Sequence, residues 1–305
     1  MKQVFYNGRH WTLKAHLAIV AEAHQSSYTA HHAPRLQLRR TKSSKEYPMP
    51  EFITVELSHP GIARLTLNRP EKRNALCIEL LEQLCGHIER TASERTARVL
   101  ILQGAGPVFS AGLDLSEASN PALVRSSAEC VARSLQLLRS TPLVTIAAAH
   151  GGAFAGGAGL LAACDIAIGT SDLKIGFPEA RRGLLPALVC AILSPKVREG
   201  DLRDLFLVGD TIDAVRAQQI GLLQRVVAPN RLSEYATAVA QSVLAGGPQT
   251  IEATKRLLNQ AFQPAATIST EHMLEVHLGA RRSFEAVEGL AAFLEKRLPN
   301  WMAIE

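Results

Sequence analysis

The chain has 305 residues, 47% of them apolar, with 33 Lys and Arg against 28 Asp and Glu, a formal net charge of +5. That apolar fraction supports one sizeable core, and no apolar run reaches the ~18 residues a membrane-crossing helix needs. Cys77, Cys85, Cys130, Cys164 and Cys190 are odd in number and widely spread, without C-x-x-C spacing; this argues against a disulfide frame or zinc site and points to reduced thiols in a cytoplasmic setting.

The basic balance sits at one end. Residues 1–48 hold eight Lys or Arg and two acids, a net of +6, so the remaining residues sum to −1. The body therefore offers no charge argument for nucleic acid. Residues 1–48 also carry five of the ten histidines and lack a sustained period, and they read as a flexible basic extension. Their acid-poor character is compatible with a transit peptide, and a chain starting at Met49 is an equal alternative.

Regular structure is predicted to begin with alternating runs over 52–57 and 62–67, separated by His59, Pro60 and Gly61, which is a hairpin signal. A basic loop, Asn68-Arg-Pro-Glu-Lys-Arg-Asn-Ala-Leu76, follows. Helical spacing takes over across 78–90, and 98–103 reads as a buried strand. Residues 108–115 form a strand end that turns through Ala111 and Gly112 towards a helix, with Asp114 suited to cap it.

The most informative stretch is 143–183, read as strand, glycine turn, helix, strand and loop. Residues 143–149 are a buried strand candidate, and Gly151, Gly152, Gly156, Gly157 and Gly159 follow within nine residues. Backbone N–H groups at such a turn, where it opens a helix, make a site for negative charge. Residues 157–162 fit G-x-G-x-x-A and Glu179 lies near the distance of a ribose-binding acid, which suggests a nucleotide site. Against it, Glu179 follows Pro178 in a loop instead of closing a strand, and the glycines can equally serve close packing. Paired with the turn at 110–114, this turn can bring two N–H donors onto one oxygen as an oxyanion hole. His150 reads as a hydrogen-bonded strand-end residue and Asp165 as a backbone-fixing one, while Arg181 and Arg182 read as residues near a site mouth that either meet a carboxylated substrate or face water. From 202 onward the pattern is helical, broken at Gly246, Gly247 and Pro248, with helices over 251–261 and 271–282.

Four ordered segments carry a resemblance: the 68–76 loop, Phe109-Ser-Ala-Gly-Leu-Asp114, the 144–183 block, and Glu288-Gly-Leu-Ala-Ala-Phe-Leu-Glu-Lys-Arg297 with Pro299 and Trp301. In order and spacing they resemble the enoyl-CoA hydratase/isomerase (crotonase) family, over about 52–301. The resemblance implies an α/β fold, a spiral of β-β-α turns with a C-terminal helical region that builds trimers. Its divisions here are the extension 1–48, a spiral core 49–250 and helices 251–305. It implies that the Leu113 and Gly156 N–H groups hold a thioester oxygen and that Glu179 is the catalytic carboxyl. Arg73, Ala75, Ala111, Gly112, Asp114 and Gly157 would line a coenzyme A channel, with Phe293 and Lys296 closing over the nucleotide end. Coenzyme A is then part of the substrate and no separate cofactor is implied; the partners are an acyl-CoA thioester and copies of the chain, as a homotrimer or dimer of trimers.

The sequence departs from the family where two-glutamate hydratases carry their first glutamate, which here is Gly159. A branch that also lacks it is similar through 156–168 and 178–187, that of branched enoyl-CoA hydratases of the methylglutaconyl-CoA type. Ala187 and Leu188 replace a frequent glycine pair. Hydration of a short or branched enoyl-CoA is therefore expected; the alternatives are an enoyl-CoA double-bond isomerase and a catalytically silent acyl-CoA-binding homologue.

Overall fold

The computed structural model describes residues 51–262 and 269–302; the extension predicted over 1–48 lies outside them. Strands β1 (Ile53–His59) and β2 (Gly61–Leu67) form the expected antiparallel hairpin. From β2 the main sheet continues in parallel through β3 (Ala97–Gly104), β4 (Val144–Ala149), β6 (Ile166–Thr170) and β9 (Arg225–Val227). Parallel strands covered on both faces read as continuous apolar runs, and all six residues of β4 are buried.

The two faces are told apart by the two-residue period. Leu100 and Leu102 join the core built with α1 (Ile78–Glu94) and, after the short α2 (Leu115–Ala118), with α3 (Val124–Ser140); Leu80, Leu84, Leu135 and Leu138 are buried in it. Val99 and Ile101 face the other way, under α8 (Leu232–Leu244), where Leu232, Ala236 and Ala240 repeat at helical spacing.

A second, small sheet runs β5 (Gly152–Phe154), β7 (Lys174–Gly176) and β8 (Ile212–Asp213). Ser110 bridges to Ala153 of β5 in parallel. Successive turns of the chain thus contribute one strand to each sheet and then a helix, which is the β-β-α spiral. Glycine is depleted in strands, so β5 reads as a turn from sequence and becomes a strand only through its partners. Two other short strands, β8 and β9, interrupt a region read as helical. Each is too short to display alternation, and β9 exists because it completes the free edge of β6.

The remaining helices are α4 (Gly156–Ala163), α5 (Ala187–Leu193), α6 (Glu199–Arg203), α7 (Ala214–Gln219), α9 (Pro248–Ala261), α10 (Thr270–Arg281) and α11 (Phe284–Glu295). Lys255 of α9 is buried and ties that helix to the sheet, donating to the Leu143 carbonyl (2.7 Å) and to Asp165 (2.8 Å). Asp165 also accepts from the Thr145 N–H (2.8 Å), the backbone-fixing role expected of it. Helix α10 packs on α3 and α5, and α11 on the 3-10 turn Ala180–Arg182. Among the described residues no helix is long and apolar enough to cross a membrane.

Candidate active site

The 68–76 loop leaves β2 and folds over the first glycine turn. Asn74 organises it from a fully buried position at φ 53°, a left-handed conformation asparagine tolerates. Its Nδ2 donates to the carbonyls of Ala105 (2.8 Å) and Val108 (2.9 Å), and its Oδ1 accepts from the Arg69 N–H (2.9 Å). Ser110 Oγ donates to the Asn74 carbonyl (2.8 Å). The Leu76 N–H donates to the Gly112 carbonyl and the Asp114 N–H to the Leu76 carbonyl. Between those two bonds the Leu113 N–H is left with no acceptor among the described residues. Gly112 makes the bend possible: its φ is 91°, and a Cβ would stand 2.7 Å from the Phe154 carbonyl oxygen.

The second turn is tied to the first. The Ser110 N–H donates to the Gly152 carbonyl (3.1 Å), and the Phe154 N–H donates to the Ser110 carbonyl (3.0 Å). Three residues beyond this bridged pair, on each strand, lie Leu113 and Gly156. Gly156 opens α4, so its N–H has no intrahelical acceptor, and none other is present among the described residues. Two free N–H groups, one at a helix N-terminus, are what an oxyanion hole requires.

Ala155, which precedes Gly156, holds φ 48° and ψ −121°. Such a backbone costs a residue with a Cβ on the order of 1–3 kcal/mol, and such strain concentrates at functional sites. Sequence reading passed over Ala155 because alanine carries no local sign of it. Ala155→Gly is expected to raise stability by about 1 kcal/mol, read as a higher urea midpoint at unchanged slope. A lower midpoint would mean that the buried methyl contributes more than the strain costs.

Glu179 follows Pro178 at the head of the Ala180–Arg182 turn, yet its side chain makes no capping bond. Only 8% of the residue is exposed, and its Oε2 has no partner. Burial pushes its pKa from the ordinary 4.5 up to about 7, against the pull of its own backbone N–H and the Arg182 charge. Leu184 and Leu185 line one cavity with Glu179, while Phe177 belongs to the main core. That cavity, about 40 Å³, brings Glu179 together with Leu113 and Gly156.

The resemblance's coenzyme A residues fall into two groups. Arg73, Ala75, Ala111, Gly112 and Asp114 gather where the 68–76 loop meets the first turn, joined by the bond from the Ala111 N–H to the Arg73 carbonyl (2.9 Å). Asp114 pairs with Arg69 (2.5 Å) and caps α2 by accepting from the Ser116 N–H (3.0 Å). Burial raises its pKa, but the bonds from Ser116 and Arg69 outweigh it and hold the carboxyl below its ordinary range. On α11, Phe293 is exposed with the Arg182 guanidinium 4.1 Å above its ring, and exposed Lys296 ends the helix at φ 56°. Gly157 lies inside α4 and packs on Ser110, whose Cβ would lie 2.7 Å from a Cβ at 157.

The nucleotide reading of the G-x-G-x-x-A match does not survive. Gly157 and Gly159 lie inside α4, not in a loop before it. A Cβ at Gly159 would stand 3.2 Å from Val189 and 3.3 Å from Leu135, so aliphatic side chains hold the place of the family's first glutamate. His150 bonds the Gly106 carbonyl (2.8 Å), and Arg181 pairs with Asp210, so neither enters the cavity wall. Two residues that sequence reading left unassigned do enter it: His277 and Arg281, one turn apart on α10.

A family model described as enoyl-CoA hydratase/isomerase matches residues 58–303. The zebrafish (Danio rerio) enoyl-CoA hydratase domain-containing protein 3, mitochondrial, is 30% identical over 252 residues, covering 82% of this chain and 87% of that one. The 2,3-dehydroadipyl-CoA hydratase of Escherichia coli K12 is 32% identical over 240 residues, covering 78% and 93%. A crystal structure of an enoyl-CoA hydratase from Mycobacterium avium superposes with a TM-score of 0.75 at 33% identity, covering 83% of this chain and all of that one.

Proposed function

The chain belongs to the enoyl-CoA hydratase/isomerase (crotonase) family, and from that premise we propose that it adds water across the double bond of a short or branched 2-enoyl-CoA. One observation carries the reading: a buried carboxyl with one unpartnered oxygen shares a cavity with two backbone N–H groups that have no acceptor among the described residues. The thioester oxygen accepts from Leu113 and Gly156, which stabilise the enolate that develops as water adds. Ionised Glu179 takes a proton from the water while its oxygen bonds to C3 and the π pair moves into the enolate. The same carboxyl then gives that proton to C2, the thioester carbonyl re-forms, and Glu179 is ionised again. Coenzyme A enters as part of the substrate, with Arg73, Ala75, Ala111, Gly112, Asp114, Phe293 and Lys296 proposed along its path.

Because the cycle starts from ionised Glu179, kcat/KM is expected to rise with pH through about 7, following that carboxyl. A profile flat across neutrality would assign the proton transfers to another group.

The direct test follows loss of enone absorbance when purified protein meets crotonyl-CoA or 3-methylglutaconyl-CoA. Formation of the 3-hydroxyacyl product supports hydration. Tight binding without turnover of any enoyl-CoA overturns it and leaves a silent acyl-CoA-binding protein. Gly159 favours a second reading, since one carboxyl suffices to move a double bond between C2 and C4. An isomerase would convert a 3-enoyl-CoA to the 2-enoyl-CoA without taking up oxygen from labelled water.

Exposed apolar side chains on α11, among them Phe284, Val287 and Leu294, support a homotrimer or a dimer of trimers. Sedimentation of the purified chain reads the assembly directly.

A further inference from the structure

The guanidinium of Arg281 is buried, with 7% of the residue exposed. Its Nη1 donates to the Ala118 carbonyl at 3.3 Å, and its Nε and Nη2 have no partner. Among the described residues no carboxylate pairs with it: the cation acting on Glu179 is Arg182, which lies over Phe293. An unpaired buried cation costs several kcal/mol, and buried donors in native proteins are matched by acceptors. The two unmatched nitrogens are neighbours on one edge of the guanidinium, the edge that takes a carboxylate through two parallel bonds.

Arg281 belongs to the wall that also holds Leu113, Gly156 and Glu179. Arg281 borders a larger cavity too, about 490 Å³, beside α11, which Leu113, Gly156 and Glu179 do not line. His277, one turn earlier, places Nδ1 3.3 Å from the Leu185 carbonyl. Burial pulls its pKa down to about 4, so it adds no charge at neutral pH. The Arg281 pKa, drawn down by burial to about 10, leaves that side chain cationic. A cavity of about 40 Å³ has room for roughly three waters, which suits the end of a short chain.

We propose that the acyl group this site receives is a short chain ending in a carboxylate, and that Arg281 is the residue that selects it. The inference rests on the acyl-CoA reading above and names its substrate class. The carboxylate accepts from Nε and Nη2 of Arg281, while the thioester at the other end of the acyl group faces Leu113 and Gly156.

Saturated thioesters test this without turnover. Calorimetry would compare glutaryl-CoA with valeryl-CoA, which differ by a terminal carboxylate against a methyl, on wild type, Arg281→Met and Arg281→Lys. Wild type is expected to favour glutaryl-CoA about tenfold or more, the yield of a charge-assisted bidentate pair. Arg281→Met is expected to bring that ratio to about one, and Arg281→Lys to keep part of it as a point charge. Equal affinities in wild type, or a preference that persists in Arg281→Met, overturn the proposal. Should Arg281→Met fail to fold, the wild-type ratio and its reduction in Arg281→Lys decide. A carboxylate preference without turnover of any enoyl-CoA would sink the hydration reading and leave this one; turnover with equal affinities would do the reverse.

Discussion

Glu179→Gln is expected to lower turnover by roughly 10²–10⁴-fold, the usual cost of losing a positioned acid–base group, while acyl-CoA still binds. Glutamine has nearly the same shape but cannot carry a proton between water and C2. Residual rate would come from the Leu113 and Gly156 donors, which need no side chain. Exchange of the C2 proton with deuterated water isolates the step, because any route through the enolate delivers that proton. A folded Glu179→Gln variant that exchanges and turns over near the wild-type rate would assign the chemistry elsewhere.

The same substitution has a stability signature whose sign is fixed by burial. In the unfolded chain the carboxyl titrates near 4.5, and in the folded chain near 7. Between those values the folded chain keeps a proton that the unfolded chain releases, so folding stability falls as pH rises through this window. At 1.36 kcal/mol per pH unit the loss is on the order of 3 kcal/mol. Glutamine does not titrate, so the variant's gain in melting temperature over wild type should be larger at about pH 8 than at about pH 5. A gain independent of pH would show that burial does not disfavour the Glu179 charge.

Leu113→Pro is expected to cost about 10²–10³-fold in kcat by removing one oxyanion donor. The change is unusually clean because the Leu113 N–H has no acceptor among the described residues, so proline deletes no hydrogen bond among them. Gly112, the residue before it, is the type least restricted by a following proline. Leu113→Ala is the control: it keeps the N–H, trims a half-buried side chain, and should retain most of the turnover. If alanine is as damaging as proline, the side chain carries the effect and the backbone donor does not.

Much of the scaffold was legible locally. The hairpin, α1, β3, β4 and the Asp114 cap all follow from periods of two or 3.6 and from capping chemistry, which record what lies one or two turns away. The candidate catalytic trio was legible too, but through the ordered motifs, since nothing local separates Glu179 from an ordinary helix-opening acid. The structure separates them: the carboxyl makes no capping bond and is buried with one oxygen unpartnered.

What the sequence by itself determined is the order of buried strands and helices, because side-chain periodicity is written along the chain. Only the tertiary structure decided where donors converge and which charges lose their solvent. β5 is a strand because Ser110 and β7 supply partners, and Gly159 is hemmed in because α3 and α5 bring Leu135 and Val189 against it. Arg281 reads as the polar end of an amphipathic helix, with no sign in its neighbours that it is buried. Its desolvation arises where α10 closes against Ala118, 163 residues earlier in the chain, and against the cavity wall, and burial of that kind is a property of their packing, not of local order.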